Sequence, residues 1–117
     1  MNGELSFFEL GVDDADRARA FYGGLFGWEF VDEGSGAAIK TPNIPGGLHG
    51  GDPGASPYLF FQADDLDVAL ERVRELGGEV GETLGDDPDT VARFGRFVIC
   101  KDDQGSAFGL HQPPRRR

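Results

Sequence analysis

Only one cysteine, Cys100, occurs among the 117 residues, so no disulfide can close within the chain. That excludes the small stapled scaffold typical of secreted mini-domains. Long apolar runs are also missing, and a membrane-spanning helix needs about 20 consecutive apolar residues. The start, Met-Asn-Gly-Glu-Leu, has neither a basic n-region nor an apolar h-region. It predicts no signal peptide, and a cytoplasmic location follows by elimination. Basic side chains are scarce: 11 Lys and Arg stand against 21 Asp and Glu, for a formal charge of −10. Nucleic acid is therefore excluded as a partner, because phosphates require a positive footprint. The same imbalance attracts cations at long range.

What is present suffices for one folded domain. Hydrophobic residues make up 38% of the chain and include ten Phe. This length supports one core and is too short for two ordinary domains. Nineteen glycines are scattered among the hydrophobics, which implies tight turns rather than disorder. The tail Pro113–Arg117 can continue neither helix nor strand and is expected to fray.

The chain repeats itself. Sliding it by 51 residues places Asp13, Asp14, Asp16, Ala18, Leu25 and Gly27 on Asp64, Asp65, Asp67, Ala69, Leu76 and Gly78. An aromatic-rich strand precedes each stretch, residues 5–10 and 58–62. Each strand meets an Asp pair that suits a helix N-terminus, so capping accounts for the acidic clusters without a metal. Helices follow. Ala18, Phe21, Tyr22, Leu25 and Phe26 form one predicted sheet-facing stripe, and Leu66, Ala69, Leu70, Val73 and Leu76 form the other. Gly23-Gly24 and Gly77-Gly78 are read as helix stops.

Three short strands follow each helix: 28–32, 36–40 and about 44–50 in the first copy, then 79–81, 96–101 and 106–112 in the second. Residues 85–89 and 102–105 are read as turns, the latter closing a hairpin. The order is β-α-β-β-β, twice, which predicts an α+β fold. Module one spans about 4–50, the linker 51–57, module two about 58–112, and the tail 113–117, all within a single domain.

The segment from Arg19 to Phe30, with its Phe21-Tyr22 and Leu25-Phe26-Gly27-Trp28, resembles the "FY…LFGW" stretch of the vicinal oxygen chelate superfamily. Residues 64–80 are similar to that family's second helix, and 101–110 to its final hairpin. The superfamily includes glyoxalase I, extradiol dioxygenases, methylmalonyl-CoA epimerase and the bleomycin and fosfomycin resistance proteins. The resemblance implies two βαβββ modules whose curled, mixed sheets surround a central cleft, with helices outside. It also implies a homodimer, and in the enzymes a divalent metal held by His or Glu on the first and last strands of each module.

Carried over position by position, those ligand sites fall on Phe7, Gly47, Tyr58 and Gly109. None of the four is a plausible divalent-metal ligand, so no metal site and no cofactor are predicted there. Strand alternation places Glu9, His49 and His111 one rung away, where a shifted metal site or acid–base chemistry is the alternative. The preferred reading is an aromatic site for a small molecule, cationic or aromatic, formed by Phe7, Tyr58, Phe60, Trp28 and Phe108 with Glu9, His49 and His111. Phe8, Phe21, Phe26, Phe61, Phe97 and Cys100 are assigned to the core. The competing class is a lyase, isomerase or dioxygenase using a divalent metal on the shifted residues.

Overall fold

A computed structural model describes residues 2–34 and 36–114. The last three residues of the tail expected to fray lie outside that range; Pro113 and Pro114 belong to no helix or strand. The chain divides into two compact units. One is Phe7–Leu59, and the other joins Phe60 onward to the residues up to Ser6. Residues 51–57, read as a linker, belong to the first unit.

The first unit runs β1 (Leu5–Gly11, of which Phe7 onward belongs here), α1 (Ala15–Phe26), β2 (Glu29–Glu33), β3 (Gly36–Lys40) and β4 (Gly46–His49). Its strands lie side by side as β2-β3-β4-β1. The pairings are antiparallel except β1 with β4, which is parallel. The second unit opens with β5 (Tyr58–Gln62, of which Phe60 onward belongs here). It continues through α2 (Leu66–Glu75), β6 (Glu79–Leu84), α3 (Pro88–Phe94), β7 (Arg96–Lys101) and β8 (Ala107–Gln112). Its order is β5-β8-β7-β6, again with one parallel pair, β5 with β8. The α+β repeat is thus present in both copies.

The Asp pairs act as caps. Asp14 accepts from the Arg17 N–H at 3.1 Å and Asp65 from the Val68 N–H at 3.2 Å, each relieving a free donor of the first turn. The second stop is as expected, with Gly77 at φ 93° just past the end of α2, but the first differs. Gly23 and Gly24 lie inside α1, and Gly27, at φ 73°, ends it in the left-handed conformation.

Residues 85–89 are not simply a turn. Asp87 caps α3, accepting from Thr90 N–H at 3.1 Å, and Pro88 occupies its first turn, where a missing N–H costs nothing.

The helices α1 and α2 each cover one face of their sheet. The core at α1 joins Ala18 of the helix to Ile39 and Leu48 of the strands, with Phe8, Leu10, Tyr22, Trp28 and Phe30 packed against them. The core at α2 joins Leu66 of the helix to Val98 and Cys100 of β7, with Leu70, Val73, Phe108 and Leu110 packed against them. Cys100 is therefore a core residue. Phe21 and Leu25, expected in the α1 stripe, are 62% and 60% exposed, and Phe26 and Leu76 are exposed too. Of the expected stripe, Ala18 and Tyr22 make the α1 contact, joined by Ala15. Phe97 is buried, but it stacks on His111, away from the face that Val98 and Cys100 present to α2.

Candidate functional site

Alternation along β1 separates two sets of side chains. Phe8 and Leu10 face α1. Phe7, Glu9 and Gly11 take the other face, and Phe7 is buried. On β4, Leu48 faces α1, so Gly47 and His49 share the face of Glu9. Register aligns Glu9 with Gly47 and Gly11 with His49. Both glycines make room: a Cβ on Gly47 would overlap Glu9 Oε1, and one on Gly11 would overlap the Asp52 carboxylate.

The result is a continuous polar chain within the first unit. His49 Nδ1 lies 2.6 Å from Glu9 Oε2, and its Nε2 lies 2.9 Å from Asp52 Oδ2. The Tyr58 hydroxyl donates to the same Asp52 oxygen at 2.9 Å. The Tyr58 ring lies 6.0 Å from the imidazole, centroid to centroid. The His49 side chain is 37% exposed, so the chain of groups meets solvent at its middle.

The electrostatics follow from these bonds. Burial alone would lower the His49 pKa, but hydrogen bonds to Glu9 and Asp52, with their charges, outweigh it and raise the pKa. Desolvation raises Glu9 above the usual carboxylate value, against the pull of His49. Asp52 is lowered by its bonds from His49 and Tyr58. Tyr58 is raised because its proton is committed to Asp52. An imidazolium between two carboxylates is the natural state of such an arrangement, since only that form has a proton for each.

The corresponding positions of the second unit are apolar. Phe60 aligns with Gly109, and its ring fills the space a Cβ would need. Phe60 is 1% exposed and meets Phe97 edge-on at 5.2 Å. His111, 5% exposed, stacks flat on Phe97 at 4.4 Å. Its Nε2 donates to the Phe94 carbonyl at 2.7 Å, so Nδ1 is left to accept from the Ser6 hydroxyl at 2.9 Å. Burial depresses the His111 pKa, and the bond to Phe94 only partly offsets this.

Glu9, His49 and Tyr58, three of the expected site residues, therefore come together. Phe7 shares their strand face. His111 has partners of its own in the second unit, Ser6 and the Phe94 carbonyl. Trp28 and Phe108 are corrections. Trp28 stacks on Tyr22 at 5.7 Å under α1, and Phe108 packs against the α2 core. Phe108 lies next to Gly109 on the strand, so alternation alone turns it to the helix face. Asp52 was not singled out from sequence. Its signal was an acidic residue three positions after a strand-ending His and six before an aromatic. Among the described residues no group of three or more His, Cys, Asp or Glu is arranged to hold a metal ion.

The family model of the Glyoxalase/Bleomycin resistance protein/Dioxygenase superfamily matches residues 4–110. CFP32 of Mycobacterium bovis, which carries a provisional glyoxylase name, is 29% identical over 128 residues. That match takes in 97% of this chain and 47% of the relative, so the chain spans about half its length. Methylmalonyl-CoA epimerase from Mycobacterium tuberculosis has a similar structure, with a TM-score of 0.66 and 21% identity over 96% of this chain and 89% of that one. Homoprotocatechuate 2,3-dioxygenase from Brevibacterium fuscum gives a TM-score of 0.72 and 20% identity over 97% of this chain and 37% of that one. At such identities the two structures speak for the fold, not for an activity.

Proposed function

Since the chain belongs to the glyoxalase/bleomycin resistance protein/dioxygenase superfamily, we propose that it binds a small molecule at the Glu9–His49–Asp52–Tyr58 face, without the divalent ion the resemblance implies. One observation carries this reading. Both ring nitrogens of His49 are bonded to carboxylates, leaving no lone pair directed at a metal. The implied ligand positions add to it. Phe7 and the two glycines have no donor side chain, Glu9 fills the space at Gly47, Phe60 fills that at Gly109, and the Tyr58 hydroxyl is committed to Asp52. These residues do not fit a divalent ion.

The ligand chemistry follows from the groups on offer. Two carboxylates flank one imidazolium, so the local charge sums to one negative. Tyr58 adds a ring, and Phe7 supplies apolar surface on the same strand. A cationic or aromatic compound suits this mixture, through charge and cation–π contact. A homodimer belongs to the same proposal, supported by the exposed Phe21 and Leu25 one turn apart on α1. Cytoplasmic residence belongs to it as well. No helix among the described residues is long and apolar enough to cross a membrane.

Metal analysis of protein purified without chelator, together with thermal-shift screening against cationic aromatic compounds, tests the reading. Substoichiometric metal and a stabilising compound whose effect vanishes in His49→Ala are expected. One divalent ion per chain would overturn it and return the protein to the metal-dependent lyase, isomerase or dioxygenase class. A monomer in concentrated solution would remove the dimer.

A further inference from the structure

The segment joining β4 to β5 is tied down by a side chain it carries itself. The Asp52 carboxylate takes one bond from His49, the last residue of β4, and one from Tyr58, the first of β5, both at 2.9 Å. The main chain anchors the beginning of the segment, where Gly51 N–H donates to Asp13 O at 3.0 Å and Asp52 N–H to Val12 O at 2.8 Å. Closing the loop between its ends therefore falls to His49, Asp52 and Tyr58.

Proton count decides whether His49 can do this. An imidazolium donates from both nitrogens, whereas a neutral ring donates from one and presents a lone pair at the other. A neutral His49 keeps Glu9 or Asp52, but not both. Glu9 is the less exposed carboxylate, at 23% against 34%, and its bond is the shorter, so leaving it unpaired costs more. Asp52 retains the Tyr58 hydroxyl and has access to water. It is the one released.

We propose that residues 50–57 are a proton-locked strap: the His49 imidazolium holds the Asp52 carboxylate and closes the strap, and loss of the second ring proton breaks that one bond and loosens the strap. The titratable groups facing His49 in this unit are Glu9 on β1, Asp52 in the strap and Tyr58 at the start of β5. Burial works to lower the His49 pKa, and their bonds and charges outweigh it and raise it from the ordinary imidazole value. The lock operates without a ligand. Its failure therefore leaves the small-molecule reading untouched, and failure of that reading leaves the lock untouched.

Amide NMR of the ligand-free chain from about pH 5 to about pH 9, with both imidazole rings followed in parallel, tests it. The amides of Ala55 and Ser56 are expected to shift, and to exchange several-fold faster after correction for hydroxide catalysis, with the midpoint of His49 rather than that of His111. In Asp52→Asn the step is expected to disappear from these amides while those of β7 and β8 stay unchanged. His49→Gln, which leaves Asp52 intact, is expected to lose the step as well. Strap amides that ignore the His49 midpoint would overturn the proposal, as would a step that survives in either variant.

Discussion

The two units start from one backbone plan and fill it differently. Glu9 stands opposite Gly47 with His49 two residues further on, and Phe60 stands opposite Gly109 with His111 two residues further on. In both copies the residue after β1 or β5 donates to the histidine carbonyl: Val12 N–H to His49 O and Ala63 N–H to His111 O, each at 2.9 Å. The glycine in each copy admits a side chain from the neighbouring parallel strand. A carboxylate enters in one and a phenyl ring in the other. That difference, with Asp52 beside one histidine and Ser6, Phe97 and the Phe94 carbonyl beside the other, sets the fate of each. His49 becomes a half-exposed cation between carboxylates, and His111 a buried neutral ring between a serine and a carbonyl.

Substitution should expose the asymmetry most sharply at the histidines. His111→Ala leaves the Phe94 carbonyl and Ser6 hydroxyl without this partner and opens a cavity beside Phe97, and a loss of about 2–4 kcal/mol is expected in urea unfolding. His49→Ala is expected to cost about 1 kcal/mol or less, since water reaches its partners. Equal losses would break the comparison.

The glycines come next. Gly109→Ala must displace the Phe60 ring, which is fully buried, at about 1–3 kcal/mol. Gly47→Ala meets only the end of the flexible Glu9 side chain. Its stability is expected to change by less than about 1 kcal/mol, while the His49 midpoint falls as Glu9 is pushed away. Thermal and NMR titrations of the two variants separate the effects.

A smaller effect tests the one element without a counterpart in the first unit. Asp87→Ala removes the α3 cap and is expected to cost about 1 kcal/mol, with the His111 ring signals shifting because α3 supplies its acceptor. Unchanged ring signals would mean that α3 does not position His111.

The smallest effect is in pH dependence, where the two histidines pull in opposite senses. The His49 pKa is raised on folding, so its contribution is complete below the ordinary value of 6.5 and is lost as pH rises through the raised one. The His111 pKa is depressed, so its contribution is complete above 6.5 and is lost as pH falls toward the lowered one. Urea midpoints are expected to decline on both sides, His49→Gln removing the alkaline limb and His111→Gln the part of the acid limb that begins just below pH 6.5, ahead of the further decline the lowered aspartates bring. Limbs that exchange places, or survive both variants, would contradict the assignment.

The repeat was legible because its signals are local. Asp pairs cap, strands alternate, and a shift of 51 residues aligns them. Glu9 and His49 could be paired from that alignment, since register follows from the repeat. Trp28 and Phe108 could not be placed by aromatic character, because burial is available on both faces of a sheet and only alternation decides which one. The α3 helix is masked in the sequence although Asp87-Pro88 is a start signal, because residues 85–89, all polar or small, carry the composition of a turn. Asp52 was hidden for the same reason. Its role depends on where a glycine-rich segment folds back, and that is set by tertiary contacts with Val12 and Asp13 rather than by neighbours in sequence. The exposure of Phe21 and Leu25 lay beyond the helical pattern for a comparable reason, since two alanines and Tyr22 fill the α1 contact.

Nitrogen-15 NMR of the two imidazole rings at pH 6.5, the ordinary midpoint, tests the central contrast most directly. The account predicts a predominantly doubly protonated ring for His49 and a predominantly neutral ring for His111 with its proton on Nε2. Two rings titrating alike, or a neutral His49 beside a protonated His111, would contradict it.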